Sequence, residues 1–111
     1  MNKKPSALKN KTEISFIFTK GKKIQKFPIK ILFITNKTTS NRFLFCADRS
    51  AKNAVERNRI KRMQRSVIQE IQDDIPQGYD IAIICNANFT KLEYSVRVKK
   101  IKQALLLLTY E

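Results

Sequence analysis

The chain has 111 residues, enough for one domain with a single modest core. Lys and Arg outnumber Asp and Glu by 23 to 9, a formal net charge of +14 that repels itself unless an anionic partner is bound. Histidine is absent and the only glycines are Gly21 and Gly78, which excludes Ser-His and Cys-His nucleophiles, an imidazole metal site, a paired-histidine ribonuclease and a Gly-rich phosphate loop.

Residues 1–11 are basic and polar and are expected to stay flexible until bound; their sequence, MNKKPSALKNK, lacks the apolar stretch of a signal peptide. Thr12 is placed to N-cap a short helix carrying Ile14, Phe16, Ile17 and Phe18, and Gly21 suits its C′ position. Lys22 to Gln25 reads as a short strand. Phe27 to Thr35 (FPIKILFIT) is a clearer one, with Ile29, Ile31 and Phe33 on one side and Lys30, Leu32 and Ile34 on the other. After the polar linker 36–41, Arg42 to Asp48 (RFLFCAD) is expected to pair with it as a hairpin.

Asn53 opens a long helix, with Glu56 three residues on as in a capping box, running to about Gln72. Its first half, NAVERNRIKRMQR, carries Arg57, Arg59, Lys61, Arg62 and Arg65, with Asn58 among them. At roughly 100° per residue, Arg57, Lys61 and Arg65 stack, Asn58 and Arg62 lie beside them, and Ile60, Met63, Val67 and Ile71 fall opposite. One face docks on a core. The other presents planar guanidinium forks suited to phosphate, with an Asn for a base edge or ribose. Asp73 and Asp74 are sequence neighbours that do not face one another on a helix, so they solvate its end rather than form a catalytic pair.

Pro76 to Gly78 is a turn, and Tyr79 to Cys85 (YDIAIIC) is a buried strand. Thr90 with Glu93 reads as a second capping box before a final helix, whose core stripe is Tyr94, Val98, Ile101, Leu105 and Leu108. Arg97, Lys99, Lys100 and Lys102 lie largely off that stripe. Cys46 and Cys85 sit in apolar runs and read as buried free thiols of a reducing cytosol. No apolar run approaches the ~20 residues of a membrane span. The element order, α-β-β-β-α-β-α, predicts a single α/β (α+β) two-layer domain with one mixed sheet covered by helices.

That order, with NAVERNRIKR at Asn53 to Arg62 and its Arg-Asn-Arg triplet at Arg57, Asn58 and Arg59, resembles the bacterial ribonuclease P protein subunit. Supporting matches are the aromatic first helix ending in FTKG and GYDIAII from Gly78 to Ile84; together they cover residues 7 to 108. The resemblance implies a left-handed βαβ crossover through the basic helix, against the general right-handed rule. It implies a large catalytic RNA that performs hydrolysis with its own Mg²⁺, and a protein that binds that RNA and the 5′ leader of precursor tRNA, in the cytoplasm, with no membrane and no obligate protein partner. Neither a catalytic residue nor a metal ligand is expected on the protein.

The residues expected to bind RNA are Arg57, Asn58, Arg59, Lys61, Arg62 and Arg65, with Arg49 and Lys52 before the helix. A groove between the first helix and the sheet, with apolar walls and a basic edge, suits a single-stranded leader. Its candidate lining is Phe18, Lys30 and Leu32, with Phe16 and Cys46. The sequence departs from the family pattern in three places. Asp48 replaces a small polar residue, Lys52 stands at the usual glycine before the helix, and Ile14 replaces the first of two phenylalanines four apart. The competing reading is a non-catalytic RNA-binding module such as a small ribosomal protein.

Overall fold

The computed structural model describes residues 4–110, without the side chains of Thr109 and Tyr110. In chain order it has α1 (Lys11–Lys20), β1 (Lys22–Lys26), β2 (Ile29–Thr35), β3 (Arg42–Ala47), α2 (Ala54–Ile71), β4 (Tyr79–Cys85) and α3 (Tyr94–Leu106). This is the α-β-β-β-α-β-α order read from the sequence, an α+β fold with one mixed sheet ordered β1-β2-β4-β3.

β4 lies inside the sheet, antiparallel to β2 and parallel to β3. Strands covered on both faces read as unbroken apolar runs, as YDIAIIC does. The insertion of β4 separates β2 from β3, so the hairpin expected of those two does not form. The hairpin is β1–β2, closed by Phe27 and Pro28. The polar linker crosses the start of β4 instead: Asn36 N donates to Gly78 O at 2.9 Å, and the Asn41 amide donates to Pro76 O at 2.7 Å. Gly78 has φ 95°, which a residue with a Cβ adopts at a cost.

The main core lies on one face of the sheet. Ile31, Phe33, Ile81 and Ile83 meet Ile60, Val67, Ile68 and Ile71 of α2 and Ile101, Ala104 and Leu105 of α3. Each fully buried Ile or Val contributes about 1.5–3 kcal/mol over exposure. The like charges at i, i+4 on α2 cost only a few tenths each. Burial therefore decides that α2 forms, and its charged face is carried along.

The second face is covered only in part. Leu8, Ile17 and Ala82 are buried there, with Ile14, Leu32, Ile34 and Leu44 around them. α1 begins at Lys11 because Asn10, not Thr12, caps it, its Oδ1 accepting from Glu13 N at 3.1 Å; Asn is the stronger cap. The segment expected to be flexible is tied down at residues 6–8, while residues 1–3 lie outside the described part. Phe43 N donates to Ser6 O and Leu8 N to Phe43 O, both at 2.8 Å, and Leu8 is buried. Gly21 ends α1 with φ −66°, not in the left-handed region; it is needed because a Cβ there would stand 2.4 Å from Ile17 O.

Arg42 pins α1 to the sheet. Its guanidinium donates to both Asp80 oxygens, at 2.8 and 2.7 Å, and to both Glu13 oxygens, at 3.1 and 2.9 Å. These bonds, to Asp80 first and then Glu13, hold its pKa above the usual arginine value. At the other end of the chain the second capping box does not form. Thr90 lies in a 3-10 turn, Ala87–Lys91, and donates to Ala87 O, while Glu93 caps α3 without a side-chain bond. The stripe holds at Ile101, Leu105 and Leu108 but not at Tyr94, which is 41% exposed.

Candidate nucleic-acid interface

The turn into α2 is built by Asp48. Its Oδ1 accepts from Ser50 N at 2.8 Å, and Ser50 Oγ accepts from Ala87 N at 2.6 Å. Asp48 N donates to Cys85 O, so the turn is sewn to the end of β4. Here an Asx turn makes the bend, and Lys52 keeps a negative φ, since Lys37 is the only non-glycine with positive φ among the described residues. Asn53 Oδ1 accepts from Glu56 N at 2.8 Å, and the Glu56 carboxylate reaches back to Lys52 N at 3.4 Å rather than to Asn53 N. Asp48 is thus a turn residue, and Arg49 and Lys52 stand exposed on either side of buried Ala51.

On α2, Arg57, Asn58, Arg59, Arg62 and Arg65 are exposed and Lys61 is half-buried. The buried side is Ile60, Gln64, Val67, Ile68 and Ile71. Gln64 is the residue that helical periodicity missed: it donates to Cys46 O at 2.8 Å and Ile83 O at 3.2 Å. The cations divide into two flanks. Toward β3, the Arg65 guanidinium sits 5.4 Å from the Phe45 ring centroid. Lys61 lies close enough to Cys46 to oppose the burial that pushes its thiol pKa up. Toward α3, Arg59 and Arg62 open on a recess shared with Tyr94 and Arg97.

The half-open sheet face is ordered in rows by strand register. Ile34–Asp80–Arg42 and Leu32–Ala82–Leu44 lie under or beside α1, and Lys30–Ile84–Cys46 follows them. α1 crosses these strands, from Glu13 beside Arg42 of β3 to Gly21 leading into β1. Lys30, Ile84 and Cys46 are all half-buried, so this row forms an open floor next to Leu32. Phe16 and Phe18 bracket buried Ile17 and are each 49% exposed, which sets them on opposite flanks of α1. Phe16 faces Thr35, Asn36, Lys37 and Arg42 at the far end of the sheet. Phe18 therefore faces the side of the open row.

The structure thus brings Phe18, Lys30, Leu32 and Cys46 to one side of α1 and sends Phe16 to the other. Two wall residues escaped the sequence reading. Ile84 was hidden in an apolar run. Phe27, 67% exposed, lines a recess with Lys30, Asp48, Ile84 and Asn86; its signal was an aromatic beside Pro28 in a tight turn.

A cationic helix beside a half-open sheet face is the arrangement of a small RNA-binding α+β domain, with Arg forks for backbone phosphate and an apolar floor for unstacked bases. Comparison makes the assignment definite: the family model for ribonuclease P matches residues 1–108, and the chain belongs to the ribonuclease P protein family. The ribonuclease P protein component of Syntrophomonas wolfei is 30% identical over 91 residues, covering 82% of this chain and 76% of the relative. That of Bacillus cereus strain B4264 is 33% identical over 99 residues, covering 88% and 85%. The ribonuclease P protein of Thermotoga maritima superposes with a TM-score of 0.83 at 24% identity, over 93% of this chain and 97% of that one, and has the same fold. The chain is accordingly a protein component of a ribonucleoprotein endoribonuclease.

Proposed function

We propose that the protein assists removal of the 5′ leader from precursor tRNA in the cytoplasm by binding two RNAs on two surfaces. The exposed cations of α2, with Arg49 and Lys52, take the backbone of a large catalytic RNA. The floor Lys30–Ile84–Cys46, with Leu32 and Phe18 at its side, takes the single-stranded leader. The observation that carries this reading is the position of β3, whose core face meets α2 through Phe45 while its other face lends Cys46 to the floor. Lys61, beside Cys46, links the two.

Hydrolysis belongs to the RNA in this account. Mg²⁺ takes oxygen ligands, and Asp48, the carboxylate that lines the recess with Lys30 and Ile84, already accepts from Ser50 N and Oγ through its Oδ1; in this reading the metal is held by the RNA subunit. The protein's work is electrostatic: Lys and Arg replace counterions along the RNA backbone, which favours assembly at low Mg²⁺. The test is precursor-tRNA cleavage at low Mg²⁺ with the RNA subunit, the protein, or both. Cleavage by the pair well above that of RNA alone, and none by protein alone, is expected. Turnover by stringently purified protein free of RNA would overturn the reading.

A further inference from the structure

The recess between α2 and α3 is lined by Arg59, Arg62, Met63, Ser66, Tyr94 and Arg97. Three arginines line it, and no carboxylate is among the lining residues. Glu70, the acid nearest in the bonding pattern, is engaged by the Tyr94 hydroxyl at 2.9 Å. Arg97 is held in place before any ligand arrives. One terminal nitrogen donates to Leu92 O, and the guanidinium carbon sits 5.9 Å from the Phe89 centroid and 5.8 Å from that of Tyr94. Its Nε is buried with no hydrogen-bond partner. Tyr94, at 41% exposure, has a ring fixed at its hydroxyl and flanked by a cation, yet open to solvent over much of its surface.

Like charges lining one recess raise the energy of the free protein, and an anion relieves it. A rigid exposed ring beside that anion site suits a planar base, because base–aromatic stacking tolerates any base. Arg59 and Arg62 belong to the α2 surface already assigned to the large RNA, so the same strand reaches both features. We infer that this recess is a nucleotide site of the large RNA. It takes one unstacked nucleotide, with its phosphate between Arg59, Arg62 and Arg97 and its base on Tyr94. This rests on the reading of α2 as an RNA surface, and it adds α3 to that surface.

The test is binding of full-length protein to the catalytic RNA, with thermal melts for each variant. Tyr94→Leu should weaken binding by about 5- to 150-fold, the range of one lost stack, without changing its salt dependence. Tyr94→Phe keeps the ring and should restore it. With wild-type protein and 4-thiouridine-substituted RNA, photocrosslinks should map to the peptide containing Tyr94 and Arg97. A folded Tyr94→Leu variant that binds like wild type, or crosslinks confined to α2, would overturn the α3 site. If Arg59→Ala still weakens binding in that case, the α2 reading stands alone; if it does not, both fall.

Discussion

The side-chain amide of Gln64, itself fully buried on α2, donates to the main-chain carbonyl of half-buried Cys46 on β3 at 2.8 Å. The helix that carries the cations is thereby fixed to the strand that carries part of the open floor. The geometry of each surface depends on the other through this bond, in addition to the apolar contacts around it.

The Gln64 contact has a measurable stability signature. Gln64→Ala leaves a cavity and unpaired carbonyls, and should cost about 2–4 kcal/mol. Gln64→Met fills the volume and removes Gln64 Oε1, which is buried without a partner, so it should cost no more than about 1–2 kcal/mol. Urea midpoints decide the matter; equal losses would show that neither the cavity nor the orphaned oxygen matters.

Arg42 should matter more than its exposure suggests. Arg42→Met strands the Asp80 carboxylate, whose side chain is 6% exposed, with Asn36 as its remaining side-chain partner. Loss of a partner from a buried charge costs about 3 kcal/mol or more, lowering the melting temperature by roughly 10–20 °C. Glu13 is 41% exposed, so Glu13→Gln should cost under about 1 kcal/mol. Comparable shifts for the two variants would contradict this ranking.

Burial pushes the Cys85 thiol up to about 12 from its ordinary value of 9.0. The unfolded chain then releases this proton first. Its contribution to stability is complete below about pH 9 and declines as pH rises towards 12, by at most about 1.4 kcal/mol per unit. The stability advantage of wild type over Cys85→Ala should therefore shrink across that window in chemical denaturation. An advantage that stays flat from pH 8 to 11 would rule out the thiol as the cause.

The elements were legible because their patterns are local. The cap at Asn53, the alternation in IKILFIT and the stripe at Ile101 and Leu105 each depend on neighbours in sequence. Strand pairing was not, because an inserted β4 satisfies the apolar faces of β2 and β3 as well as a hairpin does. Gln64 was absent from the apolar face read for the helix because its partners, Cys46 O and Ile83 O, are main-chain atoms far away in sequence. The exposure of the α2 arginines was legible from helical periodicity, since the apolar positions Ile60, Val67 and Ile71 lie opposite them. The separation of Phe16 from Phe18 needed the crossing direction of α1, which the bonds of Arg42 to Glu13 and Asp80 set.

The salt dependence of binding to the catalytic RNA tests the α2 surface. If about five phosphates are neutralised, log K should fall against log salt with a slope of roughly −3.5 to −4.5. Arg57→Ala and Arg62→Ala, both at exposed positions, should each flatten the slope by nearly one unit with unchanged melting temperature. Slopes that stay at the wild-type value would mean that these cations only face solvent.

The most direct test of the two-surface account is the affinity ratio of precursor to mature tRNA, measured on the reconstituted ribonucleoprotein with Lys30→Ala, Phe18→Ala and Arg62→Ala. Phe18 is 49% exposed, so its truncation should leave a folded protein, which a melt confirms. Lys30→Ala and Phe18→Ala should bring the ratio down towards one, because only the precursor has a leader to lie on the floor. Arg62→Ala should weaken assembly and leave the ratio of the assembled particle unchanged. Folded Lys30 and Phe18 variants that keep the wild-type ratio would contradict the account.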